Sequence, residues 1–199
     1  MTGYCNYDDL SRNEREGVDY QIRRRKGDTP YCVMAPHGGG IEPGTSEIAD
    51  AIAGEEHAFY AFEGLKVHGN AVLHLPSVSM DEPKALLTAE GKNTIITVHG
   101  CRGDEETVYI GGLDSILIHK IQEHLQHEGF TVSCHPNPDL RGVHPNNLCN
   151  LSGTGKGVQL EIPMRLRRQM FPAVMAIKGR KQPKGLFWRF VGAIRQTLK

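Results

Sequence analysis

His37 and Glu42 stand five positions apart, separated by Gly38, Gly39, Gly40 and Ile41. Imidazole and carboxylate are the donor types of a catalytic zinc site, which takes three protein ligands and keeps a fourth position open. Residues 31–35 ahead of them are mostly apolar and β-prone, so they read as a buried strand. Pro36 has no N–H to donate and stops the ladder there. Side chains released at the carboxyl end of such a strand point into the crevice where α/β folds bind ligands. His37 and Glu42 are therefore read as two zinc ligands, and the third is expected to be a histidine at the end of another strand. Residues 94–98, Thr-Ile-Ile-Thr-Val, form the clearest buried strand in the chain and run directly into His99-Gly100.

Competing chemistries fail on detail, apart from a plain tight Gly-Gly-Gly connection, which stays open. The His-Gly-Gly-Gly run also occurs as an oxyanion-hole loop, but that reading needs a Gly-x-Ser-x-Gly elbow. The sequences around Ser46 and Ser152 do not supply one. The run 153–157, Gly-Thr-Gly-Lys-Gly, lacks both the leading Gly and the Ser or Thr after Lys156 that a phosphate loop needs. Glu161 is more informative. It lies between Leu160 and Ile162, so strand alternation places it on the opposite face, with Gln159. An acid on an inner strand is costly unless it is paired or functional. Its structural alternative is an ion pair with a C-terminal arginine.

The elements that must hold these side chains follow in order. Residues 1–28 are polar and read as a partly helical arm, with Arg23-Arg24-Arg25-Lys26 as solvated surface. A helix is expected within 43–54, capped by Thr45 or Ser46 and ended by Gly54, then strands near 57–62 and 72–76, and a short helix over 82–90. Strands are expected at 107–112, 130–134 and 157–163. Residues 113–128 carry Leu113, Ile116, Leu117, Ile121 and Leu125 at helical spacing, with His119, His124 and His127 solvent-facing. A long Pro-rich loop follows residue 134, and such loops are often functional. A helix starts at 164, and 183–199 closes the chain as an amphipathic helix packed on the core. This alternation predicts a single three-layer α/β/α domain over 1–199 with a mixed β-sheet.

Composition narrows the setting. With 199 residues, formal net charge zero and five cysteines in no C-x-x-C pair, the chain reads as a soluble protein with reduced thiols. No apolar run reaches membrane-spanning length, and the N-terminus lacks the pattern of a secretory signal. A cytoplasmic monomer that binds neither membrane nor nucleic acid is expected. Glu161 is the last acidic residue, and ten cations follow it, from Arg165 to Lys199. Such a basic end points either to a polyanionic partner or to a solvated face paired with acids elsewhere.

Taken together, His37-Gly-Gly-Gly-Ile-Glu42, Thr97-Val98-His99-Gly100 and Gly157-Val158-Gln159-Leu160-Glu161 resemble the phage-type poly-γ-glutamate hydrolase family. The resemblance runs from about Cys32 to Arg168. It implies a zinc carboxypeptidase-like fold and endo-hydrolysis of γ-linked glutamate polymer, the material of capsules and biofilms, by a protein of phage or prophage origin that could act after host lysis. It also implies His37, Glu42 and His99 as Zn2+ ligands and Glu161 as the general base. The His-x4-Glu spacing departs from the His-x2-Glu of classical zinc carboxypeptidases, so the fold likeness does not fix the substrate. A polymer with one free carboxylate per residue requires cationic or amide donors in the cleft. Arg102, Arg141, Arg165, Asn146 and Asn147 are the candidates; His74, His135 and His144 could substitute as ligands. The rival readings are a zinc amidohydrolase or carboxypeptidase acting on small acylated glutamates, which would have a closed pocket, and a non-catalytic polyanion-binding module.

Overall fold

The computed structural model describes residues 3–176, 180 and 182–199. Seven strands form one mixed sheet: β1 (Tyr20–Arg25), β2 (Tyr31–Gly39), β3 (Ala58–Gly64), β4 (Thr94–His99), β5 (Thr107–Gly112), β6 (Thr131–Ser133) and β7 (Val158–Glu161). Their order is β1-β3-β2-β4-β7-β5-β6. β2, β3, β4 and β7 run parallel, while β1 and β5 lie antiparallel to β3 and β7. β2, β3, β4 and β7 are buried along nearly their whole length, as inner strands covered on both faces must be.

Helices cover the two faces. α2 (Thr45–Ala53), α4 (Ser115–His127), α5 (Met164–Met170) and α6 (Gly185–Gln196) pack Ile48, Ile52, Leu117, Ile121, Leu125, Met170 and Phe190 over Val33, Ile96, Val98 and Leu160. α1 (Tyr7–Asn13) and α3 (Pro83–Ala89) bring Leu10, Ala85 and Ala89 to the other face, against Met34, Tyr60 and Ile95. This is the expected three-layer α/β/α arrangement.

Several local expectations change. The first 28 residues supply β1 as well as a helix, and the arginines of β1 are not simply solvated. Arg23 pairs with Asp50 and Glu63, and Arg25 with Asp50. Residues 72–76 do not form a strand; a 3-10 turn spans Asn70–Leu73. Neither Thr45 nor Ser46 caps α2, whose N-cap is Gly44; the Ser46 hydroxyl instead accepts the Gly39 N–H at 3.2 Å. On α4 the apolar face is rotated from the expected stripe: Ile116 is exposed, and Ile118 packs on the core. The basic C-terminal end is largely paired. Arg165, Arg180, Arg189 and Arg195 meet Glu106, Glu47, Glu128 and Glu56, and Arg167 is buried. Lys178 and Lys181 lie outside the described residues. No helix among the described residues is long and apolar enough to cross a membrane.

Candidate active site

Pro36 does not end the ladder: β2 runs on to Gly39, and its pairing with β3 resumes at Gly38 after a register shift that begins at Ala35, an irregularity of the kind that re-aims a side chain, here His37, at the sheet's end. Gly39 then takes φ +63°, and a Cβ there would lie 2.6 Å from the Gly64 carbonyl oxygen. Only glycine suits such a position. The Glu42 N–H closes the turn on the His37 carbonyl at 2.8 Å, which brings both side chains to one point.

At that point three donors converge. His37 Nδ1 lies 3.2 Å from His99 Nδ1 and 3.2 Å from Glu42 Oε1. The candidate ligand atoms of His37, Glu42 and His99 all fall within 4.8 Å of one another. Two nitrogens bound to one tetrahedral zinc at about 2.0–2.1 Å stand about 3.3 Å apart, so the spacing fits a metal. The outer hydrogen bonds fit too. His37 Nε2 is 2.6 Å from the Leu75 carbonyl oxygen; a carbonyl only accepts, so Nε2 carries a hydrogen and Nδ1 is the nitrogen turned to Glu42 and His99. The Gly100 N–H donates to Glu42 Oε2 at 2.8 Å. His99 Nε2 is buried with no protein partner among the described residues.

Electrostatics favour the ligand forms. Burial pushes His99 down to about 3, so it is neutral, as a metal ligand must be. Burial opposes ionisation of Glu42, but the imidazoles of His37, His74 and His99 packed around it outweigh burial and hold the carboxyl well below its usual range. His74 stacks on the His37 ring, with centroids 3.7 Å apart, and its Nε2 lies 3.6 Å from Glu42 Oε1.

Glu161 is the register partner of His99 on the adjacent parallel strand. Leu160 and Ile162 enter the core, while the carboxyl of Glu161 accepts a hydrogen bond from Gln159 Nε2 at 3.0 Å. Burial, then the Glu42 charge, pushes Glu161 up to about 9. The alternative of an ion pair is not seen: no described cation lies within salt-bridge distance of it.

Arg167 is one cation in a basic run, and nothing in its sequence context marks it for the site. It is enclosed, and donates to the carbonyls of Ile162, Pro43 and Cys101 at 2.9, 2.6 and 3.1 Å. It thereby ties together the segments that follow Glu42, His99 and Glu161.

The cleft beside these groups has a volume of about 940 Å³, and residues of the 138–147 loop line it. A second depression of about 810 Å³, walled by Gly3, Tyr4 and Cys5, shares Glu42, His74, Gly100, Cys101 and Arg102 with it. Of the expected substrate contacts, Arg102 and Asn147 line the cleft. Asn147 is buried and its amide is spent internally, on Cys149 N and Gln159 Oε1. Arg141 is held by the carbonyls of His135 and Pro136. Asn146 is exposed, with its N–H turned to His144 Nδ1, and Arg165 pairs with Glu106 on the surface. None of these last three lines the cleft, whereas His135 and His144, beside His74, do.

A His-Glu-His cluster at the ends of parallel strands, with a buried carboxyl beside it, is the layout of a hydrolytic site able to hold a metal. Residues 4–193 match the family model for poly-gamma-glutamate hydrolase. The chain belongs to that family and is a hydrolase. It is 36% identical over 198 residues to the UPF0714 protein YndL of Bacillus subtilis (strain 168), covering 98% of this chain and 77% of that protein. Its fold matches the structure of a bacteriophage poly-gamma-glutamate hydrolase at a TM-score of 0.94, with 29% identity over 99% of this chain and 96% of that one. A zinc-free apo form of YndL matches at 0.93, with 34% identity over 100% and 98% of the two chains.

Proposed function

We propose that this protein is a zinc-dependent endo-hydrolase of the γ-amide bonds of poly-γ-glutamate, with His37, Glu42 and His99 as ligands and Glu161 as the acid–base group. The observation that carries the endo reading is the pair of depressions that share Glu42, His74 and Arg102. A polymer can lie across the cluster with residues on both sides, as internal cleavage requires. A hydrolase of small acylated glutamates would close one side.

When bound, zinc polarises the amide carbonyl and acidifies water. The chain's own residues do the rest. Glu161 takes a proton from the attacking water and passes it to the leaving nitrogen. Water's oxygen adds to the carbonyl carbon, the C–N bond breaks, and a γ-carboxyl and a free amine result. A base must be ionised to act, and a cation among the three ligands offsets the Glu42 charge that helps hold Glu161 protonated. Arg102 is placed to meet a substrate carboxylate with its planar fork, and His74, His135 and His144 add donors along the cleft. Membership of the family and the zinc-free form of the relative YndL support this reading.

The test is product length. Gel analysis of long polymer should show rapid shortening before free glutamate appears. Steady glutamate release with polymer length falling slowly would identify an exo-acting enzyme and refute the endo assignment.

A further inference from the structure

We propose that Asn147 and Gln159 form a hydrogen-bond relay that fixes which oxygen of Glu161 handles the proton, which makes both of them positioning residues for hydrolysis. The inference rests on Glu161 as the acid–base group. Asn147, Gln159 and Glu161 are 4%, 3% and 4% exposed, so water does not readily replace their mutual contacts.

The relay is anchored at both ends by backbone groups whose roles are fixed. The Cys149 N–H can only donate, and it meets Asn147 Oδ1 at 3.1 Å. Asn147 Nδ2 is therefore the donor to Gln159 Oε1, at 3.0 Å. The Leu140 carbonyl can only accept, and Gln159 Nε2 lies 3.1 Å from it. The same nitrogen reaches Glu161 Oε1 at 3.0 Å. Turning the Gln159 amide over would set its oxygen against a carbonyl and a carboxylate, and its NH2 against another NH2. Each buried mismatch is penalised.

Oε1 of Glu161 is thus committed to accepting, and a proton that arrives at the carboxyl goes to Oε2. Oε2 is then the oxygen that takes the proton from water and delivers it to the amine. Leu140 and Asn147 belong to the loop beside the cleft, so the same amide also sets the base relative to the cleft wall.

The test must separate this role from simple tethering of the loop. Gln159→Met removes the donor at similar length. Asn147→Asp keeps the acceptor for Cys149 but turns a carboxylate toward Gln159 Oε1. Each is made alone and combined with Glu161→Gln, and kcat, KM, zinc content and melting temperature are measured. Each single variant should lower kcat by about tenfold to a hundredfold, the worth of a hydrogen bond to a charged group. KM should stay within about twofold and zinc should stay bound. In the Glu161→Gln background neither should lower kcat further, because groups that act through one residue are non-additive. The relay is overturned if kcat is unchanged in the single variants, or if it falls equally in both backgrounds or together with a change in KM, the mark of a loop tether. If Gln159→Met does not fold, Asn147→Asp decides alone. Normal turnover by Glu161→Gln would instead overturn the acid–base reading itself, a result distinct from failure of the relay.

Discussion

Replacing Arg167 by leucine removes the group that joins three segments of the site. Its guanidinium donates to the carbonyls of Pro43, Cys101 and Ile162, and it lies beneath the Gly100 backbone, where a Cβ would sit 2.5 Å from Cζ. Leucine leaves three buried carbonyls unpaired, at about 1–3 kcal/mol each. Relief from burying a guanidinium that has no carboxylate partner among the described residues offsets part of this, and a net loss of about 4 kcal/mol remains. With a urea m-value of about 2 kcal/mol/M, the unfolding midpoint should fall by about 2 M. Pro43 follows Glu42, and Cys101 lies two positions after His99, so zinc affinity should also drop by about tenfold to a hundredfold, as for loss of outer-shell support. Urea unfolding followed by circular dichroism, with chelator competition for zinc, measures both. A midpoint and a zinc affinity equal to wild type would refute the bracing role.

Thiol reactivity should divide the cysteines. Cys5 and Cys134 are exposed, while burial pushes Cys32, Cys101 and Cys149 up to about 12; native protein should therefore titrate about two thiols quickly and all five only when unfolded, and rapid reaction of more than two would contradict the packing. Chelated protein should show the pH signature of Glu161, whose carboxyl is raised from 4.5 to about 9 by burial first and by the Glu42 charge second. A raised acid contributes stability that is full below its unfolded value and is lost as pH climbs through the folded one. Metal-free wild type should therefore lose stability relative to metal-free Glu161→Gln, at up to about 1.4 kcal/mol per pH unit, between about 4.5 and 9; parallel curves would contradict the burial.

The sheet and its helices were largely legible because the strands are continuous apolar runs and the helices carry regular stripes. Strand alternation alone placed Gln159 and Glu161 together, opposite Leu160 and Ile162. Two His-Gly strand endings also marked where the side chains converge. What stayed hidden depended on partners distant in sequence. Arg23 and Arg25 look like solvated charge until β1 pairs with β3 and Asp50 comes into reach. Arg167 is one cation in a basic run until Pro43, 124 positions away, receives it. Asn147 looks like a substrate donor because its loop reads as exposed, yet the loop folds it inward onto Gln159. Leu73 and Leu75 suggest a strand, but the Asn70–Leu73 turn buries them as single anchors, and Leu75 serves the site through its carbonyl.

The central claim is that Glu161 moves the proton while His37, Glu42 and His99 hold the metal. Zinc content and polymer-cleaving turnover measured on one preparation of Glu161→Gln test it most directly. Glutamine keeps the size and the acceptor for Gln159 but cannot take a proton. The variant should retain about one zinc per chain, with turnover lower by roughly 10²–10⁴ and substrate affinity little changed. Loss of zinc would make Glu161 a ligand, and near-normal turnover would place the base elsewhere.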